Sequence, residues 1–314
     1  MDEGESSLRG ERASGGAIPG ADGPAFTLEM PHDTPIPVLI AVPHAGRCYP
    51  EAVRARMRDP EYSAVRLEDR YTDLLASEIA AATGAALLVA HAPRAMLDLN
   101  RACDDMDWSM VAGGAPRKVP HSVLNRRSRS GLGLVPRRLG GLGEIWKGQI
   151  ARAELEARIE GIHRPYHARL AGALETLCDR WGAALLIDLH SMPPLKLRYP
   201  GDRTAEFVLG DRFGASCDPA LAAQGLGYFA RFERLTAHNR PYAGGYILDR
   251  HGAPARGIHA MQLEICRSSY LDARLTEPSA RMPAIARLLT GFVRELGDAV
   301  ATLGRGRALP LAAE

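Results

Sequence analysis

A histidine ends the apolar run PVLIAVP at position 44, and a second ends LLIDL at position 190. Two neutral imidazoles at the ends of buried strands form a donor pair suited to zinc or another divalent cation. A carboxylate would complete the set, leaving a fourth position for water. Asp69 and Asp73, in LEDRYTDLL, are the candidates. Their spacing of four predicts one shared helix face, from which either could point into the same crevice. Asp188 lies two residues before His190 on the same side of the strand, where a carboxylate would orient the imidazole. Glu264 stands between Leu263 and Ile265 in an apolar run, and a carboxylate there needs a partner or a task. Each residue has a plainer alternative, as a hydrogen-bonded structural histidine or an acid on a solvated helix face. The two histidines with Glu264 favour the metal reading. His91, His121, His163, His167, His251 and His259 lack such company and are expected to be structural or exposed.

These side chains need a scaffold. Short, continuous apolar runs at 37–44, 86–94, 183–191, 206–211 and 258–266 read as strands buried on both faces. Helical periodicity connects Tyr71 to Ala82, Leu155 to Leu177 and Ile285 to Leu303, with Pro165 expected to kink or break the second. The alternation predicts a three-layer α/β fold, its central sheet mostly parallel or mixed, with helices on both faces. Ligands of open α/β sheets bind outside the carboxyl ends of strands. Those ends carry His44, then Arg94, Asp98, Asn100 and Arg101, then Asp188 and His190, then Asp211, and Glu264. Residues 1–24, rich in Gly, Ser and Glu, read as a disordered tail, 25–304 as one domain, and 305–314 as a frayed end.

The chain has 314 residues, 46% hydrophobic and 24% charged, with a net charge of +2. Nothing in that balance points to nucleic acid or a membrane, and no apolar run reaches the roughly 18 residues of a membrane helix. Residues 117–138 carry seven Arg or Lys and no acid, but no aromatic residue to stack on bases. They read as a long loop. Five scattered cysteines without CxxC predict neither disulfides nor a cysteine zinc site, which fits a cytoplasmic protein. There is no GxSxG elbow, P-loop or strand-linked GxGxxG.

The segments VPHAGRCYP, LEDRYTDLL, PRAMLDLNR, GLGLVPR, PYHARL, LLIDLHSMPP, GDRFGASCDP, NRPYAGGYI and HAMQLEICRSSYLD, in this order, resemble the N-formylglutamate amidohydrolase family. The resemblance covers roughly residues 37–272 and implies a zinc-carboxypeptidase-like (phosphorylase/hydrolase-like) α/β core with one zinc or other divalent ion. It also implies hydrolysis of N-formyl-L-glutamate to formate and glutamate, in histidine catabolism. His190 matches the second metal histidine of the carboxypeptidase-like pattern, and Glu264 the general base. Asn100 and Arg101 match the pair that grips a substrate carboxylate. The pattern's HxxE is broken, because Arg47 stands three residues after His44. The carboxylate ligand must then come from elsewhere, with Asp69 the first candidate, or be absent.

With that chemistry, Arg94 would stabilise the oxyanion. Arg240 beside Asn239, or Arg137, would meet a second substrate carboxylate; the alternative for both arginines is a surface role. The expected partner is a small acidic N-acyl amino acid. Oligomeric state is open, a homo-oligomer included. Two readings stay beside the deformylase: a deacylase for another acidic N-acyl amino acid, and a metal-free member that binds without cleaving.

Overall fold

The apolar runs are strands of a single large sheet. The computed structural model describes residues 10–115, 126–197, 199 and 201–308. Its strands are β1 (Glu11–Gly15), β2 (Phe26–Met30), β3 (Val38–Val42), β4 (Ala86–Ala90), β5 (Arg138–Leu139), β6 (Gly143–Glu144), β7 (Ala184–Met192), β8 (Phe207–Gly210), β9 (Thr236–His238) and β10 (Ile258–Cys266). Its helices are α1 (Glu51–Ala55), α2 (Pro60–Leu67), α3 (Thr72–Thr83), α4 (Arg126–Arg129), α5 (Arg152–Arg158), α6 (Arg164–Trp181), α7 (Pro219–Arg231), α8 (Tyr246–His251) and α9 (Met282–Ala308). The eight-stranded sheet has the order β1-β2-β4-β3-β7-β10-β8-β9, with β5 and β6 forming a separate ribbon. The central four strands, β4, β3, β7 and β10, are parallel. The pairs β2–β4 and β10–β8 are antiparallel, so the sheet is mixed.

Side chains alternate between faces along a strand. Leu39, Ala41, Ala184, Leu186, Ile258 and Ala260 face a core built with Leu170, Leu174 and Leu177 of α6. Their neighbours Ile40, Leu185, Ile187, Met261 and Leu263 face a second core with α3, α7 and α9. Both faces are covered, which is why these strands read as continuous apolar runs. On the α6 face of β7 and β10, the alternation continues past Leu186 and Ala260 into Asp188, His190, Gln262 and Glu264. A polar patch therefore replaces the core at the carboxyl half of two adjacent strands.

Several expectations change. Residues 10–24 do not form a tail, because β1 pairs antiparallel with β2 and Ile18 is buried in the core; residues 1–9 lie outside the described residues. Helix α9 continues past residue 304 to Ala308, and 309–314 lie outside the described residues. Of the basic stretch 117–138, residues 117–125 likewise lie outside, and Arg126–Arg129 form the short helix α4. At Pro165 the long helix is divided: a π-helical turn, Ile159–His163, separates α5 from α6, and the proline, which has no N–H to donate, falls in the first turn of α6. Among the described residues, no helix is long and apolar enough to cross a membrane.

Candidate active site

Strand register assembles the site. In the parallel pair β7–β10, His190 lies opposite Glu264 and Asp188 opposite Gln262, so two dyads share one face. His44 lies two residues beyond the end of β3, the other neighbour of β7. The two imidazoles meet edge to face, with ring centroids 4.7 Å apart. Asp69 joins them from the turn between α2 and α3, where its backbone N–H donates to the His44 carbonyl at 2.9 Å. One potential ligand atom from each of His44, Asp69 and His190 falls within 4.8 Å of the other two. All three residues are buried.

The expected helix face for Asp69 and Asp73 does not form. Tyr71 has left-handed backbone, φ 61°, so α3 begins only at Thr72 and Asp69 stays in the preceding turn. Asp73, in the first turn of α3, is held by Arg47 through two hydrogen bonds of 2.7 and 3.2 Å. The arginine that breaks HxxE thus occupies the second candidate acid, and of the two Asp69 alone reaches the histidines.

Each histidine has one ring nitrogen against a supporting carboxylate and the other turned to Asp69. His44 Nε2 is 2.7 Å from Asp98 Oδ1, and its Nδ1 is 3.5 Å from Asp69 Oδ2. His190 Nε2 is 3.0 Å from Asp188 Oδ2, and its Nδ1 is 2.9 Å from Asp69 Oδ2. His44 Nδ1 is buried with no hydrogen-bond partner, the state expected of a nitrogen whose partner is a cation. Burial opposes ionisation of Asp69, yet the two histidines hold its carboxyl well below the usual range. Burial likewise opposes charge on His190, but Asp188 and Asp69 raise its imidazole well above the ordinary histidine value.

Glu264 stands opposite His190 on the neighbouring strand and lines the same cleft. Its Oε1 accepts from Gln262 Nε2 at 2.8 Å, and its buried Oε2 has no partner. Burial pushes its carboxyl up to about 7, with the Asp69 and Asp188 charges adding to the rise and His190 and Arg94 opposing it. A carboxylate poised near neutral pH is suited to proton transfer.

A cleft of about 240 Å³ opens over these groups, lined also by Arg94, Asn100, Arg101, Arg66, Arg127 and Arg267. Arg94 donates to Asp98 Oδ2 at 2.9 Å. Arg101 spends Nε on the Leu132 carbonyl and Nη1 on its neighbour's carbonyl. Asn100 is more structural than expected: its Oδ1 accepts from the Ile247 amide at 2.9 Å, and Nδ2 lies 3.4 Å from both His190 and Gln262. Gly245 packs so closely here that a Cβ would meet Asn100 Oδ1 at 2.5 Å.

Three expected binding residues are not brought to the cleft. Arg137 is held by Asp107 at 2.7 Å and Glu144 at 2.9 Å, an ion-pair cluster with β6. Asn239 is buried against Asp211, bonding both its carboxylate and its amide. Strands β8 and β9 run against β10, with Gly210 opposite Gln262; that reversal carries Asp211 and Asn239 away from the carboxyl end of β10. Arg240 is exposed beside them, outside the cleft. Sequence reasoning missed Arg66, Arg127, Gln262 and Arg267. Gln262 carried a signal, standing two residues before Glu264 on the same strand face. The exposed Arg66 and Arg127 meet no carboxylate among the described residues. Of the six histidines expected to be structural or exposed, His121 lies outside the described residues. His167 bonds His251 at 2.9 Å and the Leu99 carbonyl at 3.0 Å, structural roles as expected.

Acid, imidazoles and arginines converge at the parallel strand ends of an α/β sheet, an arrangement suited to hydrolysis, and sequence comparison specifies the family. Residues 36–271 match the N-formylglutamate amidohydrolase family, and the chain belongs to that family of linear-amide hydrolases. It is 31% identical over 284 residues to the N-formylglutamate deformylase of Pseudomonas aeruginosa, spanning 87% of this chain and 95% of that one. The Pseudomonas putida N-formylglutamate deformylase is also 31% identical, over 88% and 96% of the two chains. The crystal structure of N-formylglutamate amidohydrolase from Ralstonia eutropha superposes with a TM-score of 0.79 at 30% identity, covering 88% of this chain and 99% of that one.

Proposed function

We propose that the protein hydrolyses the formyl amide of N-formyl-L-glutamate to formate and L-glutamate, using one divalent cation, zinc being the first candidate. The observation that carries this reading is the convergence of three buried ligand-type atoms beside the partnerless oxygen of Glu264. The donor set fits the ion: two imidazoles, each backed by a carboxylate, and a third carboxylate between them. His44 and His190, through Nδ1, and Asp69, through Oδ2, would hold it. When bound, such a cation acidifies a water molecule and polarises the amide carbonyl.

The remaining steps belong to the protein. Glu264 takes the water proton and returns it to the leaving nitrogen. Arg94, fixed by Asp98, faces the charge that develops on the carbonyl oxygen. Arg101 meets one substrate carboxylate, and Arg66 and Arg127, which meet no carboxylate among the described residues, suit the other. Arg137, Asn239 and Arg240 have no part in this scheme. The test combines metal analysis of the purified protein with turnover of N-formylglutamate, N-formylaspartate and N-acetylglutamate. One equivalent of metal and preference for the first substrate are expected. Full turnover after exhaustive chelation would exclude the metal, and preference for either other substrate would exclude the specificity.

Three further outcomes follow from the geometry. Asp188→Asn, which keeps the side-chain shape but removes the charge behind His190, should weaken metal affinity about 10- to 100-fold in a chelator competition. Metal binding should release the proton that Asp69 and Asp188 hold on His190. Apparent affinity should therefore strengthen with rising pH, about tenfold per unit below the raised imidazole pKa, and calorimetry in buffers of different ionisation enthalpy would count the proton. Arg101→Lys should lower kcat/KM for glutamyl substrates about 10-fold or more, mostly through KM, and leave neutral N-formyl substrates nearly unchanged.

A further inference from the structure

Asp69 is a two-oxygen ligand presented with one oxygen already occupied. Its Oδ2 faces both histidine Nδ1 atoms, at 2.9 and 3.5 Å. Its Oδ1 accepts from Ser191 Oγ at 3.1 Å and lies 3.4 Å from Arg267 Nη2. Arg267 Nε in turn donates to Ser191 Oγ at 3.1 Å. Arginine has donors only. The serine oxygen must therefore accept from Arg267, and its own proton is committed to Asp69.

The clamp also fixes the backbone that carries Asp69. Arg267, buried at the end of β10, donates through Nη1 to the Val65 carbonyl at 2.9 Å and through Nη2 to the Glu68 carbonyl. Tyr270 donates to the Arg70 carbonyl at 2.8 Å. The turn from α2 to α3 is thereby fastened to the strand that bears Glu264. A ligand on a turn, rather than on a strand or in an HxxE helix, needs such a hold, because a turn alone does not fix a carboxylate to the tolerance a metal demands.

We infer that Ser191 and Arg267 are positioning residues that restrict Asp69 to one-oxygen ligation, keeping a coordination position open for water. The inference rests on the metal reading above. Without the clamp, Oδ1 is free to turn to the cation as well and fill that position. The test uses the purified full-length chain, stripped and reloaded with Co(II), whose visible spectrum reports coordination number independently of turnover. Ser191→Ala should keep its circular dichroism, lower Co(II) affinity about 10- to 100-fold and lose visible absorbance intensity as coordination number rises. Ser191→Thr, which restores the hydroxyl, should return both toward wild type. Arg267→Lys, lacking the fork that spans Ser191 and two carbonyls, should shift the spectrum in the same direction as Ser191→Ala. A Ser191→Ala spectrum superimposable on that of the loaded wild type overturns the inference. Wild type that takes up no Co(II) overturns the metal reading instead.

Discussion

Glu264→Gln is expected to lower kcat by about a hundred- to ten-thousand-fold while leaving metal content and fold intact. The substitution is nearly isosteric. Gln262 already donates to Glu264 Oε1 at 2.8 Å, and the carbonyl oxygen of the new amide can keep that bond. The other oxygen, where the amide nitrogen would sit, has no partner to lose. What disappears is the proton acceptor beside the bound water. The wild-type pH profile should carry the same residue's mark. With burial holding Glu264 near 7, kcat/KM should fall as pH drops and the base takes up a proton. A bound cation, by its charge, would move that limb below 7. The residual rate of the variant should lack the limb. Near-normal turnover in Glu264→Gln, with metal bound, would remove Glu264 from the proton-transfer role.

His190→Ala should abolish both metal retention and turnover. Zinc held by a full set of protein ligands is bound by about 10–16 kcal/mol in small zinc domains, so one ligand of four carries roughly 2.5–4 kcal/mol, or about a hundred- to a thousand-fold in affinity. The loss here is larger than one bond. The imidazole also separates the charges of Asp69 and Asp188, at 2.9 and 3.0 Å. Its removal leaves Asp188 buried without its cationic neighbour, which costs stability as well. Metal analysis after dialysis reads the first effect and thermal melting of the metal-free protein the second. A His190→Ala variant that keeps one equivalent of metal would refute the ligand assignment.

The scaffold of this site was legible in the sequence to an unusual depth because the strands are buried on both faces. An apolar run that ends in His44, in Asp188 and His190, or that holds Glu264 in its interior, breaks its own pattern, and burial makes that break costly unless a site compensates it. The third candidate ligand was less legible. Helical spacing treated Asp69 and Asp73 alike, and only the left-handed Tyr71 separates them. The long cations were the least legible. Arg137 belongs to Asp107 and Glu144, Arg47 to Asp73, and Arg267 to Val65 at the end of α2 and Glu68 in the turn after it, about 200 positions earlier in the chain. An arginine reaches far enough to choose among many acids, so its neighbours in sequence say little about its partner.

By itself, the order of residues determined the layered sheet and the two histidines and the acid that interrupt its strands, because a continuous apolar run and its polar breaks are local properties of each strand. Tertiary structure decided which strand ends coincide. The antiparallel course of β8 and β9 sends Asp211 and Asn239 elsewhere, while parallel β7 and β10 set His190 against Glu264. Strand direction is set by long-range pairing and crossover connections, and those are absent from any local pattern.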